Sequence, residues 1–192
     1  MASDENDAIL DAALAVAGEK GWRAMDLHDV AERADLPAAD LERRYRTKRA
    51  LLDAIADRFD REAIAAIDPD ADDPDLPAPE RLFDALMTRI ELLQENRPGY
   101  VALLKAACSD PCMALGGAPR LHSAMGDVLH RSGLGARGPF GCIRRKVLGA
   151  LYLSVLKVWM EDESDDLGPT MSTLDGRLRR LDEFVASIPS GR

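Results

Sequence analysis

The chain has 192 residues, enough for one medium domain or a small domain fused to a larger one, and long enough to bury a sizeable core. Its 34 acidic against 25 basic side chains leave a net charge of −9, a whole-chain balance that disfavours a general nucleic-acid or anionic-membrane binder. A content of 46% apolar and 31% charged residues is that of a folded chain and excludes a disordered one.

No uncharged apolar run reaches the roughly 18 residues of a membrane span. The acidic start Ser3-Asp4-Glu5-Asn6-Asp7 is unlike a secretory signal, and three cysteines, Cys108, Cys112 and Cys142, make no disulfide framework. The expected compartment is the cytoplasm.

The first predicted helix carries Ile9, Ala13, Val16 and Ala17 at helical spacing; Lys20 complements its C-terminal dipole and Gly21 takes the left-handed closing position. Asp26, with a second carboxylate on Asp29, caps a short second helix containing Val30, Ala31 and Ala34. That helix stops at Asp35-Leu36-Pro37, because proline disfavours helical geometry in the residue before it yet suits the first turn of a new helix. The third helix runs through Leu41 to about Arg44. Thr47 then caps a fourth, striped by Leu51, Leu52, Ile55 and Phe59 and continuing to about Ala66.

Residues 68–79 hold five Asp and four Pro with almost nothing to bury, and are expected to be a solvated connection. Leu82, Phe83, Leu86, Met87, Ile90 and Leu93 then mark a long amphipathic helix, and Pro98 starts another through Tyr100, Leu103 and Leu104. Pro111, Gly116-Gly117 and Pro119 are expected to break the next region into short pieces, followed by a helix over 120–131 that Gly133 closes. From Phe140 to Met160 apolar residues go nearly all the way round, the pattern of a helix buried between others. After an acidic loop over 161–166, Met171, Leu174, Leu178, Leu181, Val185 and Ile188 alternate in steps of three and four, a seam for a partner helix. The expected fold is therefore all-α with about nine helices: a helix-turn-helix domain over 1–50, a connecting helix over 51–67, the acidic linker over 68–79, and a helical bundle over 80–192.

Two short helices joined by a tight turn form a unit whose second helix can enter the DNA major groove. Basic residues cluster on it: Arg33, Arg43, Arg44, Arg46, Lys48 and Arg49 stand against Asp35, Asp40 and Glu42 over 33–49. Other motifs are weaker. Gly133-Leu134-Gly135-Ala136-Arg137-Gly138 fits a dinucleotide fingerprint but follows no strand. Asp68, Asp70 and Asp72 imitate a calcium loop that lacks its glycine and its bidentate glutamate. Cys108 and Cys112, separated by Pro111, are better explained as buried thiols than as metal ligands with His122 or His130. No nucleophile elbow or catalytic dyad stands out, so neither an enzyme nor a cofactor or metal site is expected.

The segment 9–52, with Gly21, Leu27-His28-Asp29-Val30-Ala31, Ala34-Asp35-Leu36 and Leu41-Glu42-Arg43-Arg44-Tyr45-Arg46-Thr47-Lys48, resembles the DNA-binding domain of the TetR family of transcriptional regulators. The resemblance implies a recognition helix over 38–44, Tyr45 closing it, Lys48 on a phosphate, and DNA contacts from Arg33, Ala38, Ala39, Asp40, Arg43, Arg44, Tyr45 and Lys48. It further implies palindromic double-stranded operator DNA, a small ligand in a second helical domain, and a homodimer through the last two helices. Dimer contacts are then expected from Leu151, Val155, Trp159, Leu174, Leu178, Leu181 and Val185.

A ligand in the second domain would be walled by Phe83, Met87, Ile90, Tyr100, Leu103, Leu104, Cys108, Met113, Leu121 and Met125, flexible and apolar side chains suited to an apolar ligand. Three positions depart from the TetR pattern: Asp35 replaces a usual glycine, Asp40 a small or hydroxyl residue, and Glu42 a tyrosine. The last puts a carboxylate, which repels phosphate, in place of a phosphate contact. Residues 80–87 and 158–178, notably Val158-Trp159-Met160-Glu161-Asp162-Glu163, resemble the TetR-like Coq-type ubiquinone-biosynthesis accessory proteins. That second resemblance implies lipid binding in place of DNA binding.

Overall fold

The computed structural model describes residues 2–68 and 70–187. Among them are nine helices and no strand: α1 (Ala2–Lys20), α2 (Leu27–Arg33), α3 (Ala38–Arg44), α4 (Lys48–Ala66), α5 (Ala78–Glu95), α6 (Arg97–Cys108), α7 (Pro111–Arg131), α8 (Gly138–Glu161) and α9 (Gly168–Ser187).

The first compact unit joins residues 1–62 to 92–117, so α6 and the start of α7 share it with the helix-turn-helix segment. Here α1 packs on α2 and α6, and α2 on α3. Ile9, Leu10, Leu14, Met25, Val30, Leu41, Leu51 and Ile55 are buried. Two glycines let α1 and α6 approach closely: a Cβ on Gly99 would stand 2.5 Å from the Leu14 carbonyl oxygen, and one on Gly18 2.8 Å from the Cβ of Pro98. Arg58 of α4, only 5% exposed, donates to the Asp7 carbonyl at 3.0 Å and to the Asp11 carboxylate at 2.7 Å, tying α4 to α1. Burial pushes the neighbouring Tyr100 hydroxyl up to about 12, so it stays protonated.

The second unit comprises 63–91 and 118–192. Its buried side chains include Leu86, Ile90, Met125, Leu148, Trp159 and Leu174, with α9 laid against α8. At the turn between them Asp162 is 5% exposed, although it lies in the acidic stretch. Its carboxylate accepts from the amide and hydroxyl of Thr170 (3.0 and 2.6 Å) and from those of Ser164 (3.1 and 2.5 Å). Arg81 similarly ties down the acidic linker, donating to the carbonyls of Ser132 (2.8 Å) and Asp72 (3.4 Å).

Several expectations need correction. α1 spans Ala2–Lys20 and so takes in the acidic start ahead of the Ile9–Ala17 stripe. Residues 111–131 form one helix despite Pro119, whose missing N–H would have met the carbonyl of Leu115. Leu115 is 73% exposed, so water can take that carbonyl. Cys108 and Cys112, expected to be buried, are exposed and stand at the end of α6 and the start of α7; Cys142, in α8, is exposed as well. Finally, α8 is not buried all round: Phe140 (76% exposed), Ile143 (57%), Val147 and Leu153 face outward.

Candidate nucleic-acid interface

Helix α2 starts with a reciprocal cap: the Asp26 carboxylate accepts from the Asp29 amide and the Asp29 carboxylate from the Asp26 amide, both at 2.9 Å. It ends in a Schellman turn, with the Leu36 amide donating to the Ala31 carbonyl at 3.0 Å and the Asp35 amide to the Glu32 carbonyl at 3.2 Å. That motif requires a left-handed residue, and Asp35 supplies it at φ +53°. Pro37 then opens α3, which is anchored by one buried side chain, Leu41. Ala39, Asp40, Glu42, Arg43 and Arg44 are exposed and Ala38 is half-buried, so a two-turn helix presents its outer face to solvent.

Most basic groups around this helix already have carboxylate partners. Arg43 pairs with Asp40 at 2.6 Å, Arg44 with Glu5 of α1 at 3.4 Å, Arg33 with Glu19 at 2.6 Å and Arg49 with Asp53 at 3.0 Å. Arg46 has no ion pair among the described residues. All four pairs are open to solvent and screened by it, so a phosphate can replace the carboxylate at small cost.

Two of the anticipated contacts have other work. The Lys48 ammonium donates to the carbonyls of Met25 (2.8 Å) and Arg23 (3.2 Å) and lies 5.0 Å from the Trp22 ring centre. Burial lowers its pKa, partly offset by Asp26 and Asp29. It fastens the α1–α2 loop to the start of α4. Tyr45 is buried and donates to Asn6 at 2.6 Å; burial raises its pKa. It holds the end of α3 onto α1. Glu5 and Asn6, which sequence reasoning passed over as an acidic start, thus touch α3 and the residue that closes it because α1 reaches back to Ala2.

The other candidate residues are dispersed. Met87, Ile90 and Met125 are fully packed in the second unit, where Phe83 and Leu121 are half-buried. Tyr100, Leu104, Cys108 and Met113 fall in the first unit; Tyr100 is buried with its ring 5.5 Å from that of Phe59, and Cys108 is exposed. Val155, Trp159, Leu174 and Leu178, expected at a dimer contact, are buried within the protomer because α9 packs on α8. Leu151 and Leu181 are half-buried; Ile188 and the Val185 side chain lie outside the described residues. The outward face of α8 is instead formed by Phe140, Ile143 and Val147, spaced three and four apart, with Leu151 continuing the stripe.

The fold and this interface define an all-helical protein with a capped helix-turn-helix at its N-terminal end. Residues 9–55 match the model of the bacterial regulatory proteins of the tetR family. Three solved structures are similar over nearly the whole chain. The TetR transcriptional regulator from Nitrosomonas europaea is 23% identical with a TM-score of 0.75, over 93% of this chain and 98% of that one. A TetR transcriptional regulator from Rhodococcus sp. RHA1 is 15% identical with a TM-score of 0.67 over the whole of both chains. The multidrug binding protein EbrR, complexed with imidazole, is 22% identical with a TM-score of 0.60, over 92% and 93%. A comparison with curated proteins returns no match. Segment 9–55 is thus a tetR-family helix-turn-helix domain, and the fold of the chain is that of TetR-type regulators. No helix among the described residues is long and apolar enough to cross a membrane.

Proposed function

We propose that this protein is a DNA-binding transcriptional regulator whose recognition helix is α3, acting as a homodimer on a palindromic operator and controlled by a small apolar ligand taken up by the helices after α4. One observation carries the reading: α3 projects from the capped α2 and its Schellman turn with an exposed face of Ala39, Asp40, Arg43 and Arg44, held by a single buried leucine. Dimerisation is supported by the outward apolar residues Phe140, Ile143 and Val147, which share one face of α8 at helical spacing and which a second copy would cover. Two copies would present their α3 helices to successive major grooves about 34–36 Å apart. A ligand favouring another spacing would release the DNA by population shift.

Phosphate contacts fall to Arg43, Arg44, Arg46 and Arg33, and Lys48 acts by positioning. Selection from random duplexes, followed by gel shifts over a range of salt, tests this. Arg43→Ala and Arg44→Ala should each weaken binding and lower the salt slope by about 1. A second reading, a lipid-binding accessory protein on the same fold, is favoured by the exposed carboxylates of Asp40 and Glu42 on α3. Bound isoprenoid lipid in the purified protein, with no duplex enriched at low salt, would decide for it.

A further inference from the structure

On a chain this acidic, one groove contains cations and no carboxylate. It runs beside the α1–α6 contact within the first compact unit, measures about 390 Å³, and has Trp22, Pro98 and Val101 among its apolar walls. Arg23 and Lys105 are the charged residues that line it. Both are exposed, and Lys105 has no ion pair among the described residues. An aromatic and aliphatic wall with two cations complements an apolar body bearing one negative group, and the volume lies toward the lower end for small-molecule pockets.

We propose that this groove binds a small amphipathic carboxylate, its carboxyl group taken by Arg23 and Lys105 and its apolar body seated on Trp22 and Val101. Arg23 gives the site a route to α3. Its guanidinium donates at 2.7 Å to the carbonyl of Ser109, at the end of α6, and its own carbonyl accepts from Lys48 at the start of α4. A carboxylate competing for that guanidinium loosens the tie between α6 and the α1–α2 loop. The close backbone approach at Gly18 and Gly99 leaves α1 no slack to absorb the change. This regulatory consequence rests on the DNA-binding reading; the binding itself does not.

The experiment is a titration of the full-length protein followed by tryptophan emission. Of its two tryptophans, Trp22 lines the groove and Trp159 is sealed in the second unit. The probe is 4-phenylbutyrate, compared with neutral 4-phenylbutanamide, cationic 4-phenylbutylamine and inorganic phosphate. Saturable quenching by the carboxylate is expected, about tenfold or more tighter than by the amide, with Arg23→Gln and Lys105→Gln each weakening it severalfold. Circular dichroism confirms that the variants are folded, and ligand-observed NMR repeats the measurement without the fluorophore. Equal binding of the amide, preference for the amine, or competition by phosphate at comparable concentration overturns the proposal. Binding that leaves the affinity for a selected operator unchanged overturns its regulatory half alone.

Discussion

Replacing Asp162 by asparagine should remove a stabilisation that depends on pH in a calculable way. Burial pushes this carboxyl up, but the hydroxyls and amides of Ser164 and Thr170 outweigh burial and hold it at about 2, against an ordinary 3.8. At 1.36 kcal/mol per unit, the depressed value corresponds to about 2 kcal/mol of stability in the ionised state. The folded value lies below the unfolded one, so the contribution is complete above pH 4 to 5 and disappears as the pH falls through the folded value. Urea unfolding followed by tryptophan emission is well placed to see it, because the Asp162 amide donates to the carbonyl of the buried Trp159 at 3.3 Å. Asp162→Asn should be about 2 kcal/mol less stable than the parent at pH 6, the gap closing to roughly 0.5 kcal/mol or less at pH 2. Taking the difference between the proteins cancels the titration of the other carboxylates. A gap that stays constant from pH 6 to pH 2 would refute the electrostatic account and leave asparagine packing as the cause.

Other substitutions separate structural from functional roles. Asp35→Gly should stabilise by about 0.5 kcal/mol, because relief of a left-handed residue outweighs the added entropy of the unfolded chain, whereas Asp35→Val should destabilise; thermal melts measure both. Lys48→Met should cost about 1–2 kcal/mol by stripping a donor from the Met25 and Arg23 carbonyls. It should leave the salt slope of operator binding unchanged, and a slope reduced as in Arg44→Ala would restore a direct phosphate role. Ile143→Glu should shift sedimentation from dimer to monomer with the helical signal preserved; an unaltered dimer would place the contact away from this face of α8.

The boundaries of α2, α3 and the start of α4 were legible because local chemistry sets them: Asp26 and Asp29 cap α2, Pro37 starts α3, and Thr47 accepts from the Ala50 amide at 3.1 Å ahead of α4. Gly21 and Gly133 both take positive φ where the sequence places helix ends. Pro119 misled because its local signal is that of a helix breaker, whereas α7 continues through it where the freed carbonyl belongs to the exposed Leu115, an exposure that local sequence does not report. The seam on α9 was identified by its period, but period cannot say whether the partner helix belongs to the same chain. Leu174 and Leu178 meet α8 of their own protomer, and the exposed stripe lies on α8 itself. Ion pairs such as Arg44 with Glu5, 39 residues apart, carry no sequence signal.

The charge of −9 bears on DNA binding only through where it lies. The ten acids of 68–75 and 161–166 alone exceed the whole surplus, and one of them, Asp162, is buried in a hydrogen-bonded cap. Over 26–49 six basic residues face six acids, so the helix-turn-helix is neutral rather than basic. Of those acids, Asp26 and Asp29 are committed to the α2 cap and Asp35 to the turn. The carboxylates that a phosphate would meet on α3 are Asp40 and Glu42. Asp40 leaves only by giving up Arg43, which then serves the phosphate, so its net effect is close to neutral. Glu42 has no ion pair among the described residues and nothing to release, so its repulsion is uncompensated. On α3 the electrostatic obstacle to an operator therefore comes down to one side chain: Glu42→Gln should raise affinity in salt-dependent gel shifts more than Asp40→Asn, although the two remove the same charge from the same helix.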